Sequence, residues 1–459
     1  MGSIKYILKD KLGIDKAIFY TLVGRSLGIP VSVLTIFFIA RYLSPEEQGY
    51  YYTFGSIVAL QVFFELGLTG IITQFVAHEA SHLSWNGSEF VGEEKYKSRL
   101  ASLLRFCAKW YSLFAGFIVV LLLVAGMTFF NHYNAHGKDI NWALPWIILV
   151  MGTAFNFLIA PITSFVEGLG KVKEMAQIRL IQQVCQPIVV WGGFILGAKL
   201  FVSGMDALLK VSVVLFFICN SSIFKMMKSI WKENVSEVIS YKKEIFPLQW
   251  RIAVSWISGY FIFQLFNPVL FATEGAKVAG QMGLTLQALN ALQALTLSWI
   301  NTKVPRISGL IALKEYVQLD TLFNKTFKQV MAIGLTFVFL FVVVLITFQD
   351  LNITLFGVDF GTRFLPATPL ILMAWATISM MPVNCWATYL RCHKKEPLMI
   401  NSVVMGILCC SSTLLFGKMY GLIGIVCGFA VLRLISLLWI RYVYKTKKIK
   451  WHKNGNNEN

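Results

Sequence analysis

Charged residues are scarce in this sequence, and acidic residues are scarcer than basic ones. Asp, Glu, Lys and Arg make up only 14% of the 459 residues, whereas 56% are hydrophobic. The mean hydropathy of +0.65 exceeds what a soluble core requires. The polar gaps between the apolar runs are short, which excludes a soluble domain of ordinary size. The composition therefore predicts a polytopic membrane protein that works in or beside the bilayer.

Apolar runs of about 18 residues or more recur about twelve times, and each is long enough for one membrane-spanning helix. Their approximate centres are Pro30, Phe63, Phe117, Val150, Val190, Leu215, Ile262, Leu289, Phe339, Ala374, Ile407 and Val431. We therefore predict an all-α membrane protein with about 12 transmembrane helices.

The net charge of +18 follows a pattern that indicates membrane topology and argues against nucleic-acid binding. Basic clusters precede the first apolar run and follow every second one, as in residues 225–243 and 445–453. The alternate loops at 131–141 and 349–362 carry far less positive charge. By the positive-inside rule, both termini are cytoplasmic and the number of spans is even. The same clusters attract the anionic headgroups of membrane lipids.

The second half of the chain echoes the first at one constant offset of 226 residues. Lys16, Arg25 and Ser32 return as Lys242, Arg251 and Ser258. An even number of predicted spans separates the copies, so the halves share one orientation and are related by an axis along the membrane normal. The alternative explanation is chance similarity between two segments that are rich in the same apolar residues. We predict two parallel-repeat six-helix bundles around a central cavity, with an N-terminal bundle at 1–230, a cytoplasmic linker at 231–247 and a C-terminal bundle with a basic cytoplasmic tail at 248–459.

The matched arginines are the first candidates for ligand binding. Arg25 lies roughly 13 Å along a helix from Lys16, too deep for easy snorkelling, so it requires a partner or an aqueous cavity. Ser32 lies on the same helical face, and Arg251 and Ser258 repeat the arrangement. Two guanidinium groups suit a ligand with phosphate oxygens, because each offers planar bidentate donors. The alternative is that each arginine pairs with a structural carboxylate or caps helix carbonyls.

Other polar residues within the apolar runs are further candidates. Gln61, Glu65 and Thr69 follow one another at i, i+4 spacing in the second run. Glu65 either neutralises Arg25 in a buried pair or takes up and releases a proton or another coupling ion. Weaker cavity candidates, each of which fits a wet interior or interhelical hydrogen bonds, are Gln287, Asn290 and Arg433.

One motif of soluble enzymes occurs at the end of the second run. His78, Glu79 and His82 spell H-E-x-x-H, which in zinc peptidases binds the metal and activates water. No clear third ligand follows, and a membrane metalloprotease would leave the other helices and the repeat without a purpose. We favour an interfacial polar cluster here, and predict no metal, no cofactor and no catalytic residue.

Three segments carry a resemblance to a known family. Residues 41–51 (RYLSPEEQGYY), 65–68 (ELGL) and 166–172 (VEGLGKV) resemble the polysaccharide-transporter branch of the multidrug/oligosaccharidyl-lipid/polysaccharide (MOP) exporter superfamily. Residues 271–276 (FATEGA) depart from the family pattern, because a closer copy of the segment at 41–51 is expected there.

The resemblance implies an alternating-access flippase of the bacterial inner membrane and no enzyme. Its substrate would be an undecaprenyl-diphosphate-linked oligosaccharide, such as an O-antigen repeat unit for lipopolysaccharide, moved from the cytoplasmic to the periplasmic leaflet. Arg25 and Arg251 match the basic residues that recognise the diphosphate or acidic sugars in this family. The implied partners include a glycan polymerase and chain-length machinery. The alternative is a multidrug or small-solute cation-coupled antiporter of the same superfamily, whose cavity should favour acids and aromatics over arginines.

Overall fold

The structure is a computed structural model that describes residues 16–86, 90–133, 140–393, 395 and 397–456. The side chains at 16–19, 22, 25, 29 and 453–456 lie outside the described part. The predicted all-α class is confirmed, since nearly all described residues are helical.

The helices, in chain order, are α1 (Lys16–Tyr42), α2 (Pro45–Val58), α3 (Val62–Glu65), α4 (Leu68–Ala80), α5 (Glu94–Tyr133), α6 (Ala143–Gly168), α7 (Val172–Ile195), α8 (Phe201–Cys219), α9 (Ser222–Lys232), α10 (Phe246–Phe263), α11 (Phe266–Glu274), α12 (Ala276–Asn301), α13 (Val304–Ala312), α14 (Tyr316–Asp350), α15 (Phe360–Arg363), α16 (Ala367–Cys392) and α17 (Met399–Asn456). A 3₁₀ turn at Ala59–Gln61 links α2 to α3, and a π turn at Tyr241–Ile245 precedes α10. Two antiparallel hairpins pair β1 (Leu83–Trp85) with β2 (Phe90–Gly92) and β3 (Thr354–Leu355) with β4 (Val358–Asp359).

Each of the twelve predicted centres falls within a described helix. In the part of the chain that the structure describes, seven helical segments are long and apolar enough to cross a membrane, and one bent pair makes an eighth. These segments make the chain a multi-pass membrane protein. The count of twelve spans stays a prediction. The last two predicted spans are two helices that meet at a kink at Gly421, where the backbone is not helical (φ 58°, ψ −137°), and the label α17 covers both.

The second span is broken near its middle, whereas the sequence predicted one continuous helix. Leu66 and Gly67 both take left-handed backbone angles, with φ of 48° and 70°. Two such residues in succession stop the helical hydrogen-bond ladder. The helices on either side of the break meet at 41°. Gly67 also permits close packing, because a Cβ there would lie 2.4 Å from Ile252 Cγ2.

The chain forms two compact units whose boundaries differ from the predicted halves. The first unit comprises Met1–Val31 and Ile57–Trp256, and the second comprises Ser32–Ser56 and Ile257–Asn459. In the first unit, α6 packs mainly on α8 and α5; in the second, α16 packs on α17 and α11 on α12. The segment Ser32–Ser56 therefore clusters with the second unit. The predicted linker at 231–247 stays a prediction.

The start of α2 shows how the motif at 41–51 works in the second unit. Ser44 Oγ accepts a hydrogen bond from the Glu47 backbone N–H at 3.1 Å, and Glu47 Oε2 accepts one from the Ser44 N–H at 2.8 Å. This reciprocal capping box, with Pro45 in the first turn, defines the helix N-terminus. Gln48 Nε2 then donates to the Gly280 carbonyl of α12 at 2.8 Å. Through the hydrogen bond of Gln48, the motif holds α2 against α12.

Candidate functional site

A cavity of about 880 Å³ lies within the second unit, between α12, α16, α17 and the C-terminal half of α2. Amides, hydroxyls and one guanidinium dominate its polar lining. The polar lining residues are Ser32, Tyr52, Ser56, Gln264, Asn267, Gln287, Asn290, Gln293, Thr377, Asn384 and Arg433. Among the described residues that line it, there is one cation and no carboxylate. The cavity therefore has the polarity of a site for a neutral or anionic polar group.

Helix α12 supplies the amide wall. Gly283, Gln287, Asn290 and Ala294 follow helical spacing, so they face the cavity together. The Tyr52 hydroxyl of α2 donates a hydrogen bond to Gln287 Oε1 at 2.5 Å. This close approach requires glycine at 283, because a Cβ there would lie 2.2 Å from the Tyr52 ring.

Arg433 is the cation of this cavity, and its side chain is 4% exposed. The guanidinium lies over the rings of Phe429 and Phe263, with its central carbon 4.4 Å and 5.0 Å from their centroids. Its Nη1 donates to the Met380 sulfur at 3.0 Å. Cation–π contacts and a thioether acceptor offset only part of the desolvation of a charge.

The Nε and Nη2 atoms of Arg433 are buried and have no hydrogen-bond partner in the described part of the chain. These two atoms form one edge of the guanidinium, which is the edge that receives a carboxylate or phosphate in bidentate geometry. Two further lining groups are buried without a partner, the donor Gln293 Nε2 and the acceptor Asn267 Oδ1. Because buried polar groups are usually satisfied, this concentration of them makes the cavity the candidate binding site.

Four of the predicted site residues, Ser32, Gln287, Asn290 and Arg433, come together in this cavity. Ser258 is instead buried beside α17, where its Cα would lie 3.0 Å from a Cβ on Gly406. The Arg25 side chain lies outside the described residues, so its pairing with Glu65 and its role in binding stay predictions.

The remaining candidates belong to the first unit. Glu65 is half-buried next to the helix break and accepts a hydrogen bond from Thr69 Oγ1 at 2.8 Å. Gln61 closes the 3₁₀ turn that precedes α3. Arg251 is exposed on α10, with its guanidinium carbon 5.7 Å from the Trp250 ring. Their participation in a shared cavity stays a prediction.

The H-E-x-x-H motif forms an ion-pair cluster in the first unit. Glu79 is 2% exposed and accepts from Arg99 Nε at 3.1 Å, while Arg99 Nη2 donates to Glu244 Oε2 at 2.7 Å. His78 is 72% exposed, and the His82 ring stacks on Tyr96 at 4.1 Å. In the described part of the chain, no three His, Cys, Asp or Glu side chains are grouped to hold a metal ion. Glu79 is therefore engaged as an anionic partner of Arg99.

Sequence reasoning missed several lining residues, notably Tyr52, Asn267, Thr377 and Asn384. A signal existed for the first of these. Gln48, Tyr52 and Ser56 follow i, i+4 spacing within an apolar run, as a polar face does. The others are isolated amides or hydroxyls, and no pattern distinguishes them from interhelical hydrogen-bonding residues.

The all-α fold of this chain is similar to that of solved membrane transporters. A multidrug resistance MATE family transporter of the MOP superfamily, in an inward-facing conformation, aligns with a TM-score of 0.61 and 15% identity over 93% of this chain and 98% of its own. The lipid II flippase MurJ, in an inward closed conformation, aligns with a TM-score of 0.56 and 17% identity over 96% and 90%. A MOP superfamily transporter from Pyrococcus furiosus, described as having a binding pocket of reverse polarity, aligns with a TM-score of 0.51 and 14% identity over 94% and 95%. No family model and no curated protein sequence matches the chain.

Proposed function

We propose that this protein is a flippase for a polyprenyl-diphosphate-linked oligosaccharide, such as an O-antigen repeat unit. It moves the headgroup from the cytoplasmic to the periplasmic leaflet of a bacterial inner membrane by alternating access, with no covalent step. The observation that carries the proposal is the open Nε and Nη2 edge of Arg433, buried in a cavity whose described lining has no carboxylate.

The unpartnered Nε and Nη2 atoms of Arg433 indicate that the substrate is anionic. A guanidinium keeps its charge at any working pH and binds two oxygens of a phosphate or carboxylate at once. In a poorly solvated cavity, such a pair replaces the hydration that the headgroup loses on leaving water. Arg433 therefore binds either the diphosphate or an acidic sugar of the substrate.

The rest of the lining suits sugar hydroxyls. Amides such as Asn290 and Asn384 both donate and accept hydrogen bonds, as hydroxyl groups require. The volume of about 880 Å³ lies within the range of pockets that enclose small ligands. The polyprenyl tail, being apolar, stays in the lipid and needs no site in the protein.

Both a multidrug transporter and a lipid flippase have a fold similar to this one, so the fold does not distinguish the two functions. The polarity of the site must do so. A cavity for organic cations should present carboxylates, and the lining described here presents a cation instead. This contrast favours the flippase over a cation-coupled multidrug or small-solute antiporter.

The first unit supplies further roles in this proposal. Arg25 and Arg251 are additional contacts for the diphosphate, and Glu65 is the group that couples transport to a proton or another ion. Partnership with a glycan polymerase and chain-length machinery, like the cytoplasmic position of both termini, is part of the same proposal.

Translocation by the purified protein in proteoliposomes tests the function. The substrate is a short-chain polyprenyl diphosphate that carries a fluorescent disaccharide, and a membrane-impermeant quencher reports which leaflet holds it. We expect wild type to translocate it. Arg433→Gln should weaken binding of the probe about 10- to 150-fold, since a hydrogen bond to a charged group contributes about 1.5–3 kcal/mol. Arg433→Lys should recover only part of the loss, because an ammonium lacks the bidentate edge.

Arg441→Gln is the matched control, because Arg441 lies on the same helix as Arg433 but is exposed. This variant should transport the probe as wild type does. A cationic dye is tested in the same vesicles. Dye transport that survives Arg433→Gln, with no movement of the diphosphate-linked probe by wild type, would establish the multidrug function instead.

A further inference from the structure

Helix α9 lies at the end of a membrane-spanning segment. It begins at Ser222, three residues beyond the end of the candidate span Phe201–Cys219. Ser221 caps it, since its Oγ accepts a hydrogen bond from the Ile223 backbone N–H at 3.3 Å. A helix joined so closely to the end of a span must lie near the membrane surface.

One face of α9 packs against the other helices of the first unit. Ile223, Met226 and Ile230 are at most 3% exposed, and Ile223 belongs to a core that α6, α7 and α8 also form. Arg105 of α5 donates from Nη2 to the carbonyls of Trp231 and Glu233, each at 2.8 Å. The orientation of the helix about its axis is therefore set by these contacts.

The opposite face of α9, which we call the lysine face, carries three lysines and two large aromatics. Its members, all exposed, are Phe224, Lys225, Lys228, Trp231 and Lys232. At about 100° per residue they occupy an arc of roughly 120°, with the two aromatics along one edge. No carboxylate in the described part of the chain forms an ion pair with these lysines.

The nearby acidic residues do not neutralise the lysine face. Glu233 is half-buried at the end of α9, and Glu237 is exposed beyond it. The exposed Phe224 and Trp231 rings would meet water in a soluble protein, at a cost that a membrane interface removes. Cationic and aromatic side chains on one face are the features that place a helix at a lipid headgroup layer.

We propose that the lysine face is a binding site for anionic phospholipid headgroups of the cytoplasmic leaflet. The three ammonium groups bind the phosphates of neighbouring lipids, while the aromatic edge enters the boundary between headgroups and acyl chains. The proposal rests on the spanning segment, the face itself and the topology predicted from the sequence, and is independent of what the protein transports.

Lipid retention by the full-length protein tests the proposal. The protein is released from nanodiscs that hold equal amounts of phosphatidylglycerol and phosphatidylcholine, and native mass spectrometry counts the lipids that remain bound. Wild type should retain phosphatidylglycerol preferentially. The triple variant K225Q/K228Q/K232Q should lose that preference by at least about fivefold, the expected effect of one lysine near an anionic surface.

Two variants serve as controls. Replacing the same three lysines by arginine keeps the charge and should keep the preference. Replacing three exposed lysines of the second unit, Lys303, Lys325 and Lys328, by glutamine changes the net charge equally and should reduce the preference much less. Both glutamine variants should elute as single species with the melting temperature of wild type.

The proposal is wrong if K225Q/K228Q/K232Q retains phosphatidylglycerol as wild type does, or if the second-unit control loses it to the same extent. Unchanged lipid retention together with loss of activity in cells would assign the lysine face to an acidic protein partner, and would overturn the lipid assignment.

Discussion

Replacing Glu79 by Gln should destabilise the first unit, because Glu79 is one of two carboxylates that hold the Arg99 guanidinium. Glu79 is 2% exposed and lies 3.1 Å from Arg99 Nε. Breaking a fully buried ion pair typically costs about 3–5 kcal/mol. Arg99 is 19% exposed and keeps Glu244 at 2.7 Å, so we expect a smaller loss, about 2 kcal/mol. At about 2–4 °C per kcal/mol, the melting temperature should fall by about 4–8 °C.

Thermal melting of the purified protein in detergent measures this loss, and His78→Ala is the matched control. His78 is 72% exposed beside Glu79, so its removal should change stability by less than about 0.5 kcal/mol. Zinc gives the decisive comparison. If zinc raises the melting temperature of wild type but not of His78→Ala, and Glu79→Gln melts as wild type does, the residues form a metal site and the ion-pair interpretation is wrong.

Two further predictions concern the second unit. Gly283→Leu should lower the melting temperature and abolish binding of the diphosphate-linked probe, because any side chain there collides with Tyr52; Gly259→Ala, where a Cβ meets nothing within 4 Å, should be neutral. A Gly283→Leu protein that binds and melts as wild type does would refute the packing of α2 on α12. Burial lowers the pKa of His393 in the folded protein. As the pH drops below about 6.5, the unfolded chain therefore binds a proton at His393 before the folded protein does, and the free energy of unfolding falls. His393→Gln should flatten the decline in melting temperature between about pH 6.5 and 5, and an equally steep decline in the variant would exclude His393 as its source.

The helical class and the positions of the helices could be predicted from the sequence, because hydrophobic runs of membrane length are a strong and local signal. Each predicted centre lies in a helix for that reason. The break at Leu66 and Gly67 was not predicted. An apolar run does not reveal left-handed backbone angles, and here a leucine takes one of them. The break also depends on packing that the local sequence does not reveal, because Gly67 lies close to Ile252, which is distant in sequence.

Four residues that the sequence singles out line the candidate cavity, and part of its lining comes from the segment Ser32–Ser56, which clusters with the second unit. The internal repeat indicates Arg25 and Arg251, which match in sequence, whereas Arg433 has no counterpart in the repeat and is a weaker candidate from the sequence alone. Its importance depends on which atoms remain without partners after packing, and only three-dimensional contacts determine that. Sequence order also assigns Tyr52 to the first half, although its hydroxyl binds Gln287 in the second unit. A repeat in sequence locates equivalent positions, but a binding site forms where helices from different parts of the chain leave polar groups unsatisfied.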